Sequence, residues 1–160
     1  ELPISFLEEI SKCAKDNGIY FGITPFSIDA VKTLDPFVDF FKIASYELLW
    51  HDLIAECIST NKPLVLSTGM ANMEEIKKTV NFIKSKSFNN FNILHCTSAY
   101  PTPSDECNLA AIETIRKAFK CNVGWSDHSV NESVIFRSIY KWGANLIEFH
   151  HQKEVFDYQL

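Results

Sequence analysis

His128 and His150 stand one helix and one turn apart, and each closes a short apolar run, in Gly124-Trp-Ser126-Asp-His128 and Ile147-Glu-Phe-His150. Hydroxyl residues end the earlier runs, in Phe21-Gly-Ile-Thr24, Phe41-Lys42-Ile-Ala-Ser45, Val65-Leu-Ser67 and Leu94-His-Cys96-Thr-Ser98. Small neutral donors and metal-capable imidazoles recurring at one end of successive strands describe an active-site rim on a parallel sheet. Two imidazoles there can bind a divalent metal with water or substrate oxygens in the remaining positions, or act as hydrogen-bonding rim groups. Lys42 sits in a run apolar enough to be buried on both faces, where an ammonium needs an anion or a full hydrogen-bond set. It either pairs with a structural carboxylate or snorkels outward, or it joins Thr24, Ser45, Ser67, Ser98 and Ser126 in a cradle for phosphate or carboxylate.

Other polar groups near these ends have two readings each. Glu47 can accept hydrogen bonds from a polyhydroxylated ligand or cap the next helix. Tyr100, before Pro101, suits a site wall or ordinary loop packing. Asp127 and Glu148 are orienters of the imidazoles or structural acceptors. Strand alternation sends His95 and His151 away from the site. Cys96 is a candidate nucleophile or a small buried filler.

Positioning such a rim requires strands separated by helices. Apolar runs rich in Ile, Val, Leu and Phe predict six strands, Tyr20 to Thr24, Phe40 to Ala44, Leu64 to Ser67, Asn92 to Cys96, Asn122 to Gly124 and Leu146 to Glu148. Between them, Asn72 with Glu75 forms a capping box ahead of Ile76, Val80 and Ile83 on one helical face. Further helices are expected from Ile4 to Asp16, Leu48 to Thr60, Leu109 to Phe119 and Asn131 to Trp142, with Gly143 as a stop. Repeated βα units build either an open doubly wound sheet or a closed barrel, and both bind ligands at the carboxyl ends of the strands. Polar groups at all six ends favour the α/β TIM (β/α)8-type barrel, because an open sheet gathers its site at one switch point. The chain also has no GxGxxG turn. A barrel of this type has about 250 residues and eight strands, so 160 residues are expected to hold about six βα units and to lack two strands.

Composition narrows the partners. A net charge of −5, with no run of Lys or Arg, argues against non-specific nucleic-acid binding. No apolar run reaches transmembrane length. Five cysteines, odd in number and without a CxxC pair, read as reduced thiols of a cytoplasmic protein.

Taken in order, Thr24-Pro-Phe, Phe41-Lys-Ile-Ala-Ser-Tyr-Glu47, Leu66-Ser-Thr-Gly-Met70, Leu94-His-Cys-Thr-Ser-Ala-Tyr-Pro101, Gly124-Trp-Ser-Asp-His128 and Glu148-Phe-His150 resemble the sialic acid synthase family. The resemblance implies a TIM-barrel transferase that condenses phosphoenolpyruvate with an N-acylmannosamine-type sugar, or its 6-phosphate. The products would be a nonulosonic acid and phosphate. It implies that Thr24, Lys42, Ser45, Ser67, Ser98 and Ser126 hold phosphoenolpyruvate, that Glu47 and Tyr100 contact the sugar, and that His128 and His150 ligate Mn2+ or Mg2+. Lys42, Glu47 and the two histidines would then be the catalytic set, with the metal as Lewis acid and Lys42 offsetting charge on the departing phosphate. A related phosphoenolpyruvate-condensing synthase of 3-deoxy sugar acids and a catalytically silent sugar- or phosphate-binding barrel are the alternatives.

Departures from the family pattern are specific. Ser98 replaces a common Asn, Tyr46 replaces a common Gly, and Glu-Lys-His-Phe becomes Glu148-Phe-His-His151, which suggests a divergent subgroup with its own sugar specificity. Asp157 is a loose counterpart of the family's sugar-binding acid. Residues 1–160 are expected to form one partial catalytic domain without the family's first two strands and C-terminal antifreeze-like domain. Such a chain is expected to be inactive alone, while the full-length protein forms a homodimer.

Overall fold

The computed structural model describes residues 3–151; Asp157 lies outside them. After a 3-10 turn at Ile4–Phe6, helices and strands alternate: α1 (Leu7–Asp16), β1 (Gly22–Ile23), α2 (Ile28–Leu34), β2 (Phe40–Ile43), α3 (His51–Ser59), β3 (Leu64–Ser67), α4 (Met73–Ser85), β4 (Phe91–His95), α5 (Ala111–Phe119), β5 (Asn122–Asp127), α6 (Glu132–Tyr140) and β6 (Ile147–Phe149). Every neighbouring pair of strands is parallel, and the sheet order is β1-β2-β3-β4-β5-β6. A doubly wound sheet reverses its strand order at a switch point, whereas a barrel never does. The unbroken order therefore identifies six consecutive units of a (β/α) barrel.

Alternation along the strands divides the chemistry. Phe41, Ile43, Leu64, Leu66, Ile93, Val123 and Trp125 are buried and join Leu53, Ile54, Ile76, Val80, Ile83, Ile112 and Ile115 of the helices in one core. Removing such side chains from water supplies roughly 1.5–3 kcal/mol each, and this layer holds the strands in register. Cys57 belongs to it, and burial, reinforced by neighbouring Glu56, pushes its thiol up to about 12. The intervening positions, Phe40 and Lys42 on β2 and Val65 on β3, face the other way and are only half-buried. Phe41 and Ile43 of the Lys42 run are fully buried against the helices, and the Lys42 side chain on the inner face is 15% exposed. All five cysteines are free thiols. Among the described residues no helix is long and apolar enough to cross a membrane.

The capping box forms as expected: Asn72 accepts from the amides of Glu74 and Glu75, and Glu75 accepts from the Asn72 amide. Gly143 ends the last helix with φ +66°, its amide donating to the Ile139 carbonyl, a left-handed stop that favours glycine. Several elements differ from expectation: β1 is shortened to Gly22–Ile23, α1 begins at Leu7 and α5 at Ala111. Helix α2 was not foreseen, because its seven residues carry too few apolar positions to show a period; Ser27 starts it by accepting from the Ala30 amide. Strand β5 continues past Gly124 to Asp127 because its polar end is paired with β6, Ser126 opposite Glu148. The 3-10 turn Ser45–Glu47 delays α3 to His51, and α6 stops at Tyr140 rather than Trp142.

Candidate active site

From the inner face of β2, Lys42 reaches to β6, where its Nζ lies 3.2 Å from Glu148 Oε2. The same carboxylate accepts at 2.9 Å from Ser126 Oγ on β5. One carboxylate therefore ties a lysine and a hydroxyl from opposite parts of the sheet into a single polar unit. Lys42 retains donors beyond this pair, since an ammonium has three. Glu148 is the carboxylate foreseen in one reading of Lys42, and it serves Lys42 and Ser126 rather than orienting the imidazoles.

A second group forms where the loops after β2, β3 and β4 meet. Ser45 Oγ accepts from the Gly69 amide at 3.0 Å and lies 3.4 Å from Cys96 Sγ. A methyl group on Gly69 would run into Ser98 Oγ and come within 2.9 Å of Ser45 Oγ and 3.0 Å of Cys96 Sγ. Gly69 has an ordinary backbone conformation, so glycine is needed here for space and not for φ. Ser67, at the end of β3 and 3% exposed, has a hydroxyl with no hydrogen-bond partner among the described residues, and Glu47 Oε2 is likewise buried and unpartnered among them. Glu47 does not cap α3, whose first residue has no side-chain cap. A buried polar atom without a partner costs about 1–3 kcal/mol, and such atoms in native folds call for a ligand or water. Thr24 stands half-buried one residue beyond β1 at the same rim, with no side-chain hydrogen bond to these groups among the described residues.

The histidines complete the rim. His128 Nδ1 lies 2.7 Å from the Thr97 carbonyl, so that nitrogen carries the proton and donates, leaving the Nε2 lone pair for another partner. The His150 ring centroid is 5.2 Å from that of His128, and Tyr100 packs on both at 4.1 and 5.6 Å. Among the described residues no group of three or more His, Cys, Asp and Glu converges for a metal; the candidate donor set is the imidazole pair. Burial, then nearby Cys96, Glu148 and Tyr46, raises the Tyr100 phenol above its usual value. Asp127 is a structural acceptor: it binds Trp125 Nε1, Ser129 Oγ and the Val130 amide. His95 faces away as expected, its Nε2 3.1 Å from the Cys107 carbonyl, and burial holds its imidazole below the ordinary range. His151 departs from expectation, since it lines one depression with Tyr100, His128 and His150; the strand ends at Phe149, so its alternation does not extend that far.

Of the residues that sequence reasoning assigned to one rim, the structure gathers Ser45 and Ser98 around Gly69, Tyr100 with His128 and His150 at the mouth, and Lys42 with Ser126 through Glu148 on the inner face of the strands. Sequence reasoning missed Gly69, although a glycine two residues beyond a strand-end serine is a recognisable sign of close backbone approach. Gly69→Ala is expected to push Ser98 and Ser45 aside. If the cradle holds an anion, affinity for phosphoenolpyruvate should fall about 10-fold in the complete polypeptide, the equivalent of one displaced hydrogen bond. Unchanged affinity by calorimetry would exclude the cradle from the binding site.

Consecutive βα units with a lysine, hydroxyls and an imidazole pair at the carboxyl rim define a barrel protein built for polar, anionic chemistry at that end. The chain belongs to the NeuB family, whose pattern matches residues 1–155. It is 35% identical over 153 residues to N,N'-diacetyllegionaminic acid synthase from Campylobacter jejuni, covering 94% of this chain and 46% of that protein. A Methanocaldococcus jannaschii protein is 37% identical over 94% of this chain and 44% of its own length. The crystal structure of N-acetylneuraminic acid synthetase from Leptospira borgpetersenii, in complex with citrate, superimposes with a TM-score of 0.87 at 29% identity over 92% of this chain and 52% of that one. The chain thus spans a little under half the length of these curated relatives.

Proposed function

We propose that the complete polypeptide carrying this chain condenses phosphoenolpyruvate with an N-acylmannosamine-type sugar to give a nonulosonic acid and phosphate. The observation that supports this most is the set of unsatisfied and underused donors on one rim: the buried Ser67 hydroxyl, the spare Lys42 donors and the Ser45, Gly69 and Ser98 cradle. In the balanced reaction, C3 of phosphoenolpyruvate bonds to the sugar aldehyde carbon, water adds at C2, and the C2–O bond to phosphate breaks. Lys42, with Thr24, Ser45, Ser67, Ser98 and Ser126, holds the anion and offsets charge on the leaving phosphate. Glu47 accepts from sugar hydroxyls, and Tyr100 forms a wall beside them.

His128 and His150 would hold a divalent ion, which supplies Lewis-acid polarisation of the aldehyde oxygen. The fit rests on His128, whose Nδ1–H faces the Thr97 carbonyl and whose Nε2 keeps a lone pair, with Ser126 Oγ as a long 3.4 Å neighbour. Two neutral imidazoles suit manganese better than the harder, oxygen-seeking magnesium. In this reading residues 1–160 are six of eight units of one cytoplasmic barrel, the working enzyme is a homodimer, and this chain alone does not turn over.

The test is phosphate release by the complete polypeptide with phosphoenolpyruvate, manganese and a panel of N-acyl hexosamines, with products followed by mass. A nine-carbon acid whose formation stops with chelator supports the reading. Phosphoenolpyruvate binding without product from any sugar would turn the weight to a silent binding barrel.

A further inference from the structure

Val130 holds a left-handed backbone, with φ +55°. Among the described residues it is the one β-branched side chain to do so, and for that shape the conformation is an outlier that the surroundings must impose. Packing of its own side chain does not impose it, since Val130 is 89% exposed. The turn lies between His128, whose Nδ1 donates to the Thr97 carbonyl, and Asn131, which caps α6. A strained turn two residues beyond a candidate metal ligand needs a restraint.

Asp127, buried at the end of β5, supplies it. Its Oδ1 accepts from Trp125 Nε1 at 3.0 Å and from Ser129 Oγ at 2.7 Å, and its Oδ2 accepts from the Val130 amide at 3.2 Å. Trp125 is completely buried, so the turn is tied to the core of the fold. All three partners are donors, and a carboxylate meets them with two acceptor oxygens, whereas an asparagine would set an NH2 group against one of them. Among the described residues no hydrogen bond joins Asp127 to either imidazole, so its action on His128 runs through the backbone. From the other direction the Thr102 amide holds the His128 carbonyl at 2.8 Å. His128 is therefore clamped between two anchors, with its ring 5.2 Å from that of His150.

We infer that Asp127 is a positioning residue for His128, acting by holding Val130 in the left-handed turn that sets where the His128 Nε2 points. This rests on the histidine pair proposed above as the metal site. The experiment follows manganese binding to the complete polypeptide by electron paramagnetic resonance, and phosphoenolpyruvate binding by calorimetry without metal. Wild type, Asp127→Asn and the double variant Asp127→Asn/Val130→Gly are compared. In Asp127→Asn the manganese dissociation constant should rise about 10-fold, the lower end of the cost of losing a ligand's outer support, while phosphoenolpyruvate affinity holds. Glycine adopts a positive φ without steric cost, so adding Val130→Gly removes the need for the restraint and should restore most of the lost manganese affinity, a non-additive pair. A role confined to the core predicts no such rescue, because glycine at 130 does nothing for the Trp125 bond. Unchanged manganese affinity in Asp127→Asn, equal losses in the single and double variants, or a parallel fall in phosphoenolpyruvate affinity would overturn the inference while leaving the metal pair standing. If Asp127→Asn does not fold, the double variant carries the test: folded protein with near-wild-type manganese affinity supports the inference, and any other result overturns it. Wild-type protein that binds no manganese would overturn the histidine pair itself, and the inference with it.

Discussion

Replacing Lys42 by Met is expected to raise the dissociation constant for phosphoenolpyruvate about 100-fold in the complete polypeptide, measured by calorimetry without turnover. Methionine keeps most of the aliphatic stem, which is the part that packs, and removes the charge. A hydrogen bond to a charged group is worth about 1.5–3 kcal/mol, and each 1.4 kcal/mol is a factor of ten; the upper end applies because Lys42 is only 15% exposed. The competing account is that Lys42 merely neutralises Glu148, 3.2 Å away. On that account the substitution leaves a carboxylate without its cation, and the cost appears as lower thermal stability. Glu148 is 35% exposed and still accepts from Ser126, so rehydration limits that penalty to about 1 kcal/mol, in the range of solvent-screened pairs. A stability loss with unaltered phosphoenolpyruvate affinity would assign Lys42 to structure. A large affinity loss with little change in stability would assign it to the anion.

Much of this geometry was legible before any coordinates, for a physical reason. In a parallel barrel the site is where the strands end, so strand-end residue types report it directly, and Ser45, Ser67, Ser126, His128 and His150 could be read off in order. What stayed hidden depends on distances across the barrel rather than along a strand. That Glu148 serves Lys42 and Ser126 needs the closing curvature that brings β6 toward β2, which no spacing in the chain encodes. The same holds for Gly69, whose importance lies in the side chains of Ser98, Ser45 and Cys96 arriving from two other strands. Helix α2 was missed for a local reason: over seven residues, Val31 is its sole buried position, and one buried residue defines no period. The polar end of β5 was cut short because Ser126 and Asp127 look like loop residues until pairing with β6 is known.

His128→Ala should lower kcat/KM for metal-dependent condensation by at least about 1000-fold, since polarising a carbonyl through a metal is worth several kcal/mol of transition-state stabilisation and each 1.36 kcal/mol is tenfold. Manganese binding, followed by electron paramagnetic resonance on the complete polypeptide, should weaken in parallel, which separates a lost ligand from a lost general acid. The geometry explains why the effect should be local. His128 is 7% exposed, but its side-chain hydrogen bonds are to the Thr97 carbonyl at 2.7 Å and, more weakly, to Ser126 Oγ at 3.4 Å. Thr102, the neighbouring loop anchor, is fixed to the His128 backbone carbonyl at 2.8 Å, a bond that alanine preserves. The loop carrying Tyr100 is therefore expected to stay in place while the imidazole goes. His128→Gln retains a polar side chain of similar reach without the imidazole, and it should fail to restore manganese affinity if the ring nitrogen is the ligand. Undiminished manganese binding in both variants would remove His128 from the metal site and leave it as the rim group that holds Thr97.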